Sequence, residues 1–367
     1  MGRKTATSVL VGLSGGVDSS LAAALLQRRG FRVSGGFIKN WSDTKEVATG
    51  ECAWKGERRD ALRTAAKLGI PLLTFDFEKA YRNKIVAGLF KGYAAGITPN
   101  PDVLCNEVIK FGLFVSAARK LGFDYVATGH YVRLRRDKSG AAHLLRGVDA
   151  DKDQSYFLYR VPQNALRMAM FPVGGLKKSR VRELARRFKL PVADKPDSQG
   201  ICFIGKLDMV KFLRQKIKSR PGAIVDDRGN VIGRHQGLDA YTIGQRQRIG
   251  IARGRKPWFV ADKIMATNTL LVVPGQNHPR LYRSQTVIGD VHWVQGRPPR
   301  LPLKCEVQVR YRQAPVKAMV RRSGKRGRRS LEMTIEFSHP VKAVAPGQSA
   351  VIYRGRECLG GGVIRDT

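Results

Sequence analysis

Over its first 135 residues the chain alternates short apolar runs with stretches of helical spacing. Residues 7–13 (TSVLVGL), 31–39 (FRVSGGFIK), 71–77 (PLLTFDF) and 124–131 (DYVATGHY) are β-branched or aromatic and predict strands. Residues 19–30, 57–69, 78–96 and 108–122 predict helices, the first two closed by Gly30 and Gly69 as C-caps. Strands separated by helices of this length predict an α/β fold, a doubly wound parallel sheet. Such sheets bind ligands at the carboxyl ends of their strands. The least regular segments fall there: SGGVDSS (14–20), KNW (39–41), NPDVLCN (100–106) and TGHY (128–131).

The pattern changes after residue 205. Residues 206–218 read as a helix, DDRGNVIG (226–233) as a turn between strands, and residues 257–273 as a hairpin. From 281 on, alternation is dense in CEVQVRYR, AMVRRSG, SLEMTIEF and SAVIYRG, which predicts a small all-β barrel. The expected organisation is an α/β unit over 1–205, a small central linking domain over 206–280 and a C-terminal barrel over 281–367.

Composition narrows the class. Of 367 residues, 43% are hydrophobic, an ordinary share for a globular chain, so wholesale disorder is excluded. There is no apolar run of membrane-spanning length, and the N-terminus has no apolar core suited to secretion. The five cysteines are scattered, with no CxxC pair, so neither a disulfide scaffold nor a zinc site is expected. A cytoplasmic, reducing setting fits. Lys and Arg number 67 against 29 Asp and Glu, a net charge of +38. Residues 1–150 carry +11 of it and residues 151–367 carry +27. A field of this sign suits a polyanionic partner such as nucleic acid, a ribosome or an anionic membrane.

The chemistry begins with Ser14–Ser20. Adjacent glycines let the backbone approach a ligand, and the helix behind offers unpaired N–H groups and a positive dipole end, which suit phosphate. Asp18 suits a divalent metal or the ordering of the loop better than a phosphate. The spacing matches neither a Walker loop nor a dinucleotide fingerprint. SGGVDSS resembles instead the pyrophosphate loop of the ATP pyrophosphatase superfamily, whose members adenylate a substrate oxygen and release pyrophosphate.

Two cysteines lie in turn-rich segments. Asp102 and Cys105 of NPDVLCN are at i and i+3 on one helix face, with Pro101 suited to the first turn. A thiol near a helix N-terminus is a better nucleophile. Cys202 follows Gly200 in DSQGICFI. Taken singly, either could be a small buried apolar residue. Together with the loop, NPDVLCN and DSQGICFI resemble the tRNA-specific 2-thiouridylases, as do FIKNW, CNEVIKFG, ATGHYVR, KDQSYFL, YTIGQRQ, RYRQ and APGQ, in order from residue 12 to 348.

The resemblance implies exchange of oxygen for sulfur at C2 of the wobble uridine of tRNA, with ATP and Mg2+ as cofactors. It implies that Gly12, Leu13, Ser14, Gly15, Gly16, Val17, Asp18 and Ser19 wrap the ATP phosphates, that Ile38 lines the adenine pocket and that Gly129 lies against the nucleotide. Asn100, Pro101 and Asp102 would surround the target base, with Asp102 a general base. Cys202 would carry a persulfide loaded by a sulfur-donor protein, and Cys105 would be its catalytic partner. His130, Lys152, Asp153, Gln154, Tyr311, Arg312 and Gln348 would touch tRNA. Cys52, Cys305 and Cys358 read as structural, with Cys305, Val307, Val309 and Tyr311 on one core face of a strand. The remaining histidines have no ligand spacing. Arg321, Arg322, Lys325, Arg326, Arg328 and Arg329 form a basic hairpin tip suited to phosphate contact.

Overall fold

The computed structural model describes residues 6–43, 52–197, 209–251, 256–323 and 332–365. Three sheets organise them. Five parallel strands come first: β1 (Ser8–Gly12), β2 (Arg32–Lys39), β3 (Leu72–Asp76), β4 (Tyr125–Ala127) and, after an intervening hairpin, Ala169–Met170. Their order is β3-β2-β1-β4 with Ala169–Met170 at the edge. Helix α1 (Val17–Arg28) and helix α2 (Ala53–Leu68) cover one face, and α2 ends on Gly69 in the left-handed conformation. Val9, Val11, Leu21, Leu26 and Phe37 bury that side, while Leu10, Ile38, Phe114 and Val126 bury the other.

The second face carries two long helical runs interrupted by π-helix. One comprises Glu78–Tyr81, a π segment Arg82–Val86 and Ala87–Ala94. The other comprises Pro101–Leu104, a π segment Cys105–Leu113 and Phe114–Lys120. The second run starts earlier than its periodicity predicts, because Pro101 opens it and the Asn100 side chain accepts from the Val103 amide at 3.3 Å. It leads into β4, which is parallel to β1, so it runs antiparallel to the strands. Phe114 packs beside Gly36, where an added Cβ would come within 2.6 Å of its ring. Cys105 lies about 13 Å up the helix from Phe114, and Asn40 lies about 13 Å up the strand from Gly36. The head of the helix, the end of β2 and the loop after β1 therefore share the carboxyl edge of the sheet.

The central unit is a four-stranded sheet built from Gly222–Val225, Val231–His235, Trp258–Ile264 and Thr269–Pro274, with the two hairpins expected from sequence. The last unit is a closed six-stranded barrel. Tyr282–Trp293 pairs with both Met333–Lys342 and Glu357–Ile364, which closes the ring.

The hairpin of β5 (Val132–Arg136) and β6 (Ala142–Arg146) packs on the core of the first unit and also extends the barrel sheet by pairing with Glu357 and Cys358. One expectation is corrected: the barrel strand Leu303–Gln308 stops before Tyr311. Arg312 turns at φ 65°, so alternation cannot carry Tyr311 onto the core face. Its ring lies 4.4 Å from that of Phe157. Cys305 does lie on that strand, half-buried against the barrel core.

Candidate functional site

The loop 13–16 leaves β1 and enters α1 through Gly16, which offers no side-chain cap, so the first-turn amides stay available. Ser19 closes the loop on itself: its hydroxyl donates to the Gly16 carbonyl at 3.0 Å and accepts from the Ser14 amide at 3.2 Å. Gly15 has φ +71°, and a side chain there would run into the Glu57 carbonyl of α2. Gly129 lies against the first turn of α1: a Cβ on it would stand 2.6 Å from the Ser19 nitrogen. Leu13 and Val17 are core residues, and Gly12 is the last residue of β1.

Asp18 is held from two sides. Lys178 Nζ lies 2.6 and 2.8 Å from its carboxylate oxygens, and the Tyr131 hydroxyl donates to Oδ1 at 2.7 Å. Lys178 also bridges to Asp197 at 2.9 Å, which Lys152 and Arg182 approach at 2.8 and 2.7 Å. Burial works to raise the Asp197 carboxyl, but the hydrogen bonds and charges of Lys152 and Lys178 hold it down at about 2. Burial and the nearby Asp18 carboxylate push the Tyr131 phenol upward, which keeps it a donor. Lys195 donates to the Gly15 carbonyl at 3.0 Å and to Asp60 at 2.6 Å. Tyr131, Lys178 and Lys195 were missed in the sequence because single basic or aromatic residues on ordinary elements carry no motif.

Ile38 is 7% exposed and shares an apolar cluster with Cys105, Val103 and Trp41. Just past the end of β2, Asn40 is 1% exposed, with both carboxamide atoms unpartnered among the described residues. Cys105 is 1% exposed and begins the π segment, with Asn106 beside it. Asp102 stands in the turn before. Cys202 lies outside the described residues, as do Lys325, Arg326, Arg328 and Arg329.

The residues expected at tRNA divide. Lys152 is spent on Asp197. Asp153 is 9% exposed and accepts from the Gly147 and Ser155 amides, the Ser155 hydroxyl and Arg146. Gln154 Oε1 accepts from the Tyr131 amide at 2.9 Å. His130 is buried, 2.8 Å from the Thr128 hydroxyl, and burial, aided by the Lys110 charge, holds its pKa well below the ordinary histidine value. Gln348, on the barrel, donates to the Thr98 carbonyl at 2.9 Å and so supports the segment leading to Asn100. Tyr311 and Arg312 stand at the same junction, the Arg312 guanidinium over the Tyr311 ring.

Burial pushes the Cys305 thiol up to about 12 and the Cys358 thiol further. Cys52 caps α2. Among the described residues no helix is long and apolar enough to cross a membrane.

Comparison with known proteins adds the family. A family model described as a tRNA methyl transferase HUP domain matches residues 7–206, a PRC-barrel domain model matches 210–274, and an aminomethyltransferase beta-barrel domain model matches 283–364. Distant likeness links the chain to an NMN synthetase from Francisella tularensis (TM-score 0.33, 22% identity, 53% of this chain and 67% of that one). A 4-thiouridine synthetase–RNA complex with bound ATP is equally distant (TM-score 0.34, 18% identity, 57% of this chain and 50% of that one). The tRNA-specific 2-thiouridylase MnmA of Enterococcus faecalis is 44% identical over 369 residues, 99% of this chain and 96% of its own length. That of Proteus mirabilis is 44% identical over 361 residues, 97% of this chain and 96% of its own. With identity sustained from the loop after β1 to the end of the barrel, the chain belongs to the tRNA-specific 2-thiouridylase family.

Proposed function

We propose that this protein is a tRNA-uridine 2-sulfurtransferase that uses ATP to activate the C2 oxygen of the wobble uridine and replaces that oxygen with sulfur. The observation that carries the reading is the juxtaposition, in a chain of this family, of the loop 12–19 and Cys105 on one edge of the sheet. The family models' descriptions speak of methyl transfer, but the named relatives are thiouridylases, and sulfur transfer gives Cys105 and Cys202 a task.

ATP fits the edge. The phosphates meet the amides of 13–19 and the N-terminus of α1. The base lies along Ile38, where the unpartnered Asn40 carboxamide offers a donor and an acceptor. Among the described residues there is no group of three metal-ligating side chains. Magnesium would be held mainly through phosphate oxygens and water, with Asp18 as its protein contact once Lys178, which lies on both Asp18 oxygens, turns to the phosphates. Bound there, the ion would supply positive charge to offset that of the departing pyrophosphate.

The chemistry runs in two stages. The uridine C2 oxygen bonds to the α-phosphorus, pyrophosphate leaves, and the N3 proton passes to a base, the role assigned here to Asp102. The terminal sulfur of a Cys202 persulfide then attacks C2 and AMP departs. Cys105 thiolate attacks the Cys202 sulfur, which frees the 2-thiocarbonyl and leaves a Cys105–Cys202 disulfide. A dithiol reductant supplies the two electrons that reopen it. An unpaired anticodon base can be splayed into such a pocket at little cost.

Partners are tRNA and a persulfide-carrying donor protein, in the cytoplasm. Asn100 and Pro101 flank the target base. His130, Lys152, Asp153, Gln154, Tyr311, Arg312 and Gln348 form or support the wall that meets tRNA. We place the unit bounds at 1–205, 206–280 and 281–367, with the β5–β6 hairpin bridging the first and last. The test is mass spectrometry of tRNA after incubation with ATP, magnesium and a persulfide donor. Gain of one sulfur for one oxygen at the wobble uridine is expected, and AMP release driven by a small metabolite without tRNA would overturn the reading.

A further inference from the structure

Asn106 follows Cys105 and is 2% exposed. Its Nδ2 donates to the Phe157 carbonyl at 3.3 Å. Its Oδ1 is buried and has no hydrogen-bond partner among the described residues. The Phe157 bond fixes the orientation of the carboxamide, since only the nitrogen end can face a carbonyl. The atom left over is therefore an acceptor. Buried acceptors without donors are uncommon, because the lost hydration is not replaced. This one sits at the head of the helix, four residues beyond Asp102 and on the same helix face. Phe157 in turn packs on Tyr311, so the side chain lies in the wall between the helix head and the barrel.

We propose that Asn106 Oδ1 accepts the N3–H of the target uracil and is a specificity-determining residue of the base pocket. This rests on the reading that the target base lies at Asn100–Asp102. Uracil has one ring donor, N3–H, flanked by the C2 and C4 carbonyls. Cytosine has a lone pair at the same atom, which would face the Asn106 oxygen acceptor to acceptor. A site built to pair with a substrate N–H rejects an analogue that lacks it, because the protein group is then left unpaired. Adenylation removes the N3 proton, so the contact acts when the base binds, before chemistry.

The test measures binding of anticodon stem-loops carrying uridine, cytidine or N3-methyluridine at the wobble position, without ATP. The wild-type protein is expected to prefer uridine by roughly 10- to 100-fold over both. Asn106→Leu should reduce the uridine-to-cytidine preference to within about threefold, with an unchanged circular dichroism spectrum. Asn106→Asp keeps an acceptor at the position and should keep the preference, which decides the matter if the leucine variant does not fold. Equal wild-type affinity for cytidine, full wild-type preference in Asn106→Leu, or lost preference in a folded Asn106→Asp would overturn the proposal. Thiolation of the uridine stem-loop by the wild type is followed in parallel. Its absence would count against the function itself, whereas its presence with unaltered selectivity would count against Asn106 alone.

Discussion

Lys178 Nζ stands between two carboxylates, 2.6 Å from Asp18 Oδ1 in the first turn of α1 and 2.9 Å from Asp197 Oδ1, 179 positions further along the chain. The cation offsets the repulsion between the two carboxylates, as Lys152 and Arg182 do further on the Asp197 side. The lysine thereby ties the first turn of α1 to the end of the described stretch that precedes Cys202.

Asp18→Asn and Lys178→Met should both impair nucleotide activation, by about 10²-fold in AMP release, and leave tRNA affinity nearly unchanged. AMP formation in single-turnover mixtures and tRNA binding by gel shift separate the two effects. Loss of tRNA affinity with intact AMP release would remove the loop from the nucleotide site.

The five cysteines should sort into two groups. Cys202→Ser should abolish persulfide loading, and Cys105→Ser should permit loading but block turnover. Cys52→Ser, Cys305→Ser and Cys358→Ser should do neither, since burial keeps the Cys305 and Cys358 thiols protonated. A persulfide assay beside a tRNA thiolation assay checks all five. Full thiolation by either of the first two, with a protein persulfide as the sole sulfur source, would refute the two-thiol route.

Asp153→Ala should act first on stability. It deprives the Gly147 and Ser155 amides and Arg146 of their acceptor, and Arg146 Nη2 already has no partner among the described residues. A loss of about 2–4 kcal/mol in urea unfolding is expected. Unchanged stability with weakened tRNA binding would make Asp153 a direct RNA contact instead.

His130 predicts a pH dependence. Its folded pKa lies well below the unfolded value of about 6.5. Below that pH the unfolded chain takes up a proton that the folded chain refuses, so stability falls as the solution is acidified and is fully present above it. Melting temperatures from pH 8 to 5 should decline less steeply in His130→Gln. Parallel curves for the two proteins would rule out the buried histidine as the cause.

Neutralising Arg321, Arg322, Lys325, Arg326, Arg328 and Arg329 should weaken tRNA binding more at low salt and flatten its salt dependence. An unchanged slope would leave these residues as solvated surface.

The sequence by itself determined the parallel α/β sheet, its carboxyl edge and the segments gathered there. Alternating runs and glycine C-caps such as Gly30 and Gly69 are local signals, and local backbone preference is read directly from residue type. It also determined the two hairpins of the central unit. Only the tertiary structure decided that the β5–β6 hairpin also extends the barrel sheet, that Tyr311 leaves its strand to pack on Phe157, and that Asp153 and the Gln154 Oε1 accept hydrogen bonds within the fold. The ion pair of Lys178 with Asp18 and the unpartnered oxygen of Asn106 were likewise invisible. Contacts across such separations depend on where the elements dock, and no pattern along the chain encodes which of many lysines or asparagines will arrive beside a given carboxylate or carbonyl.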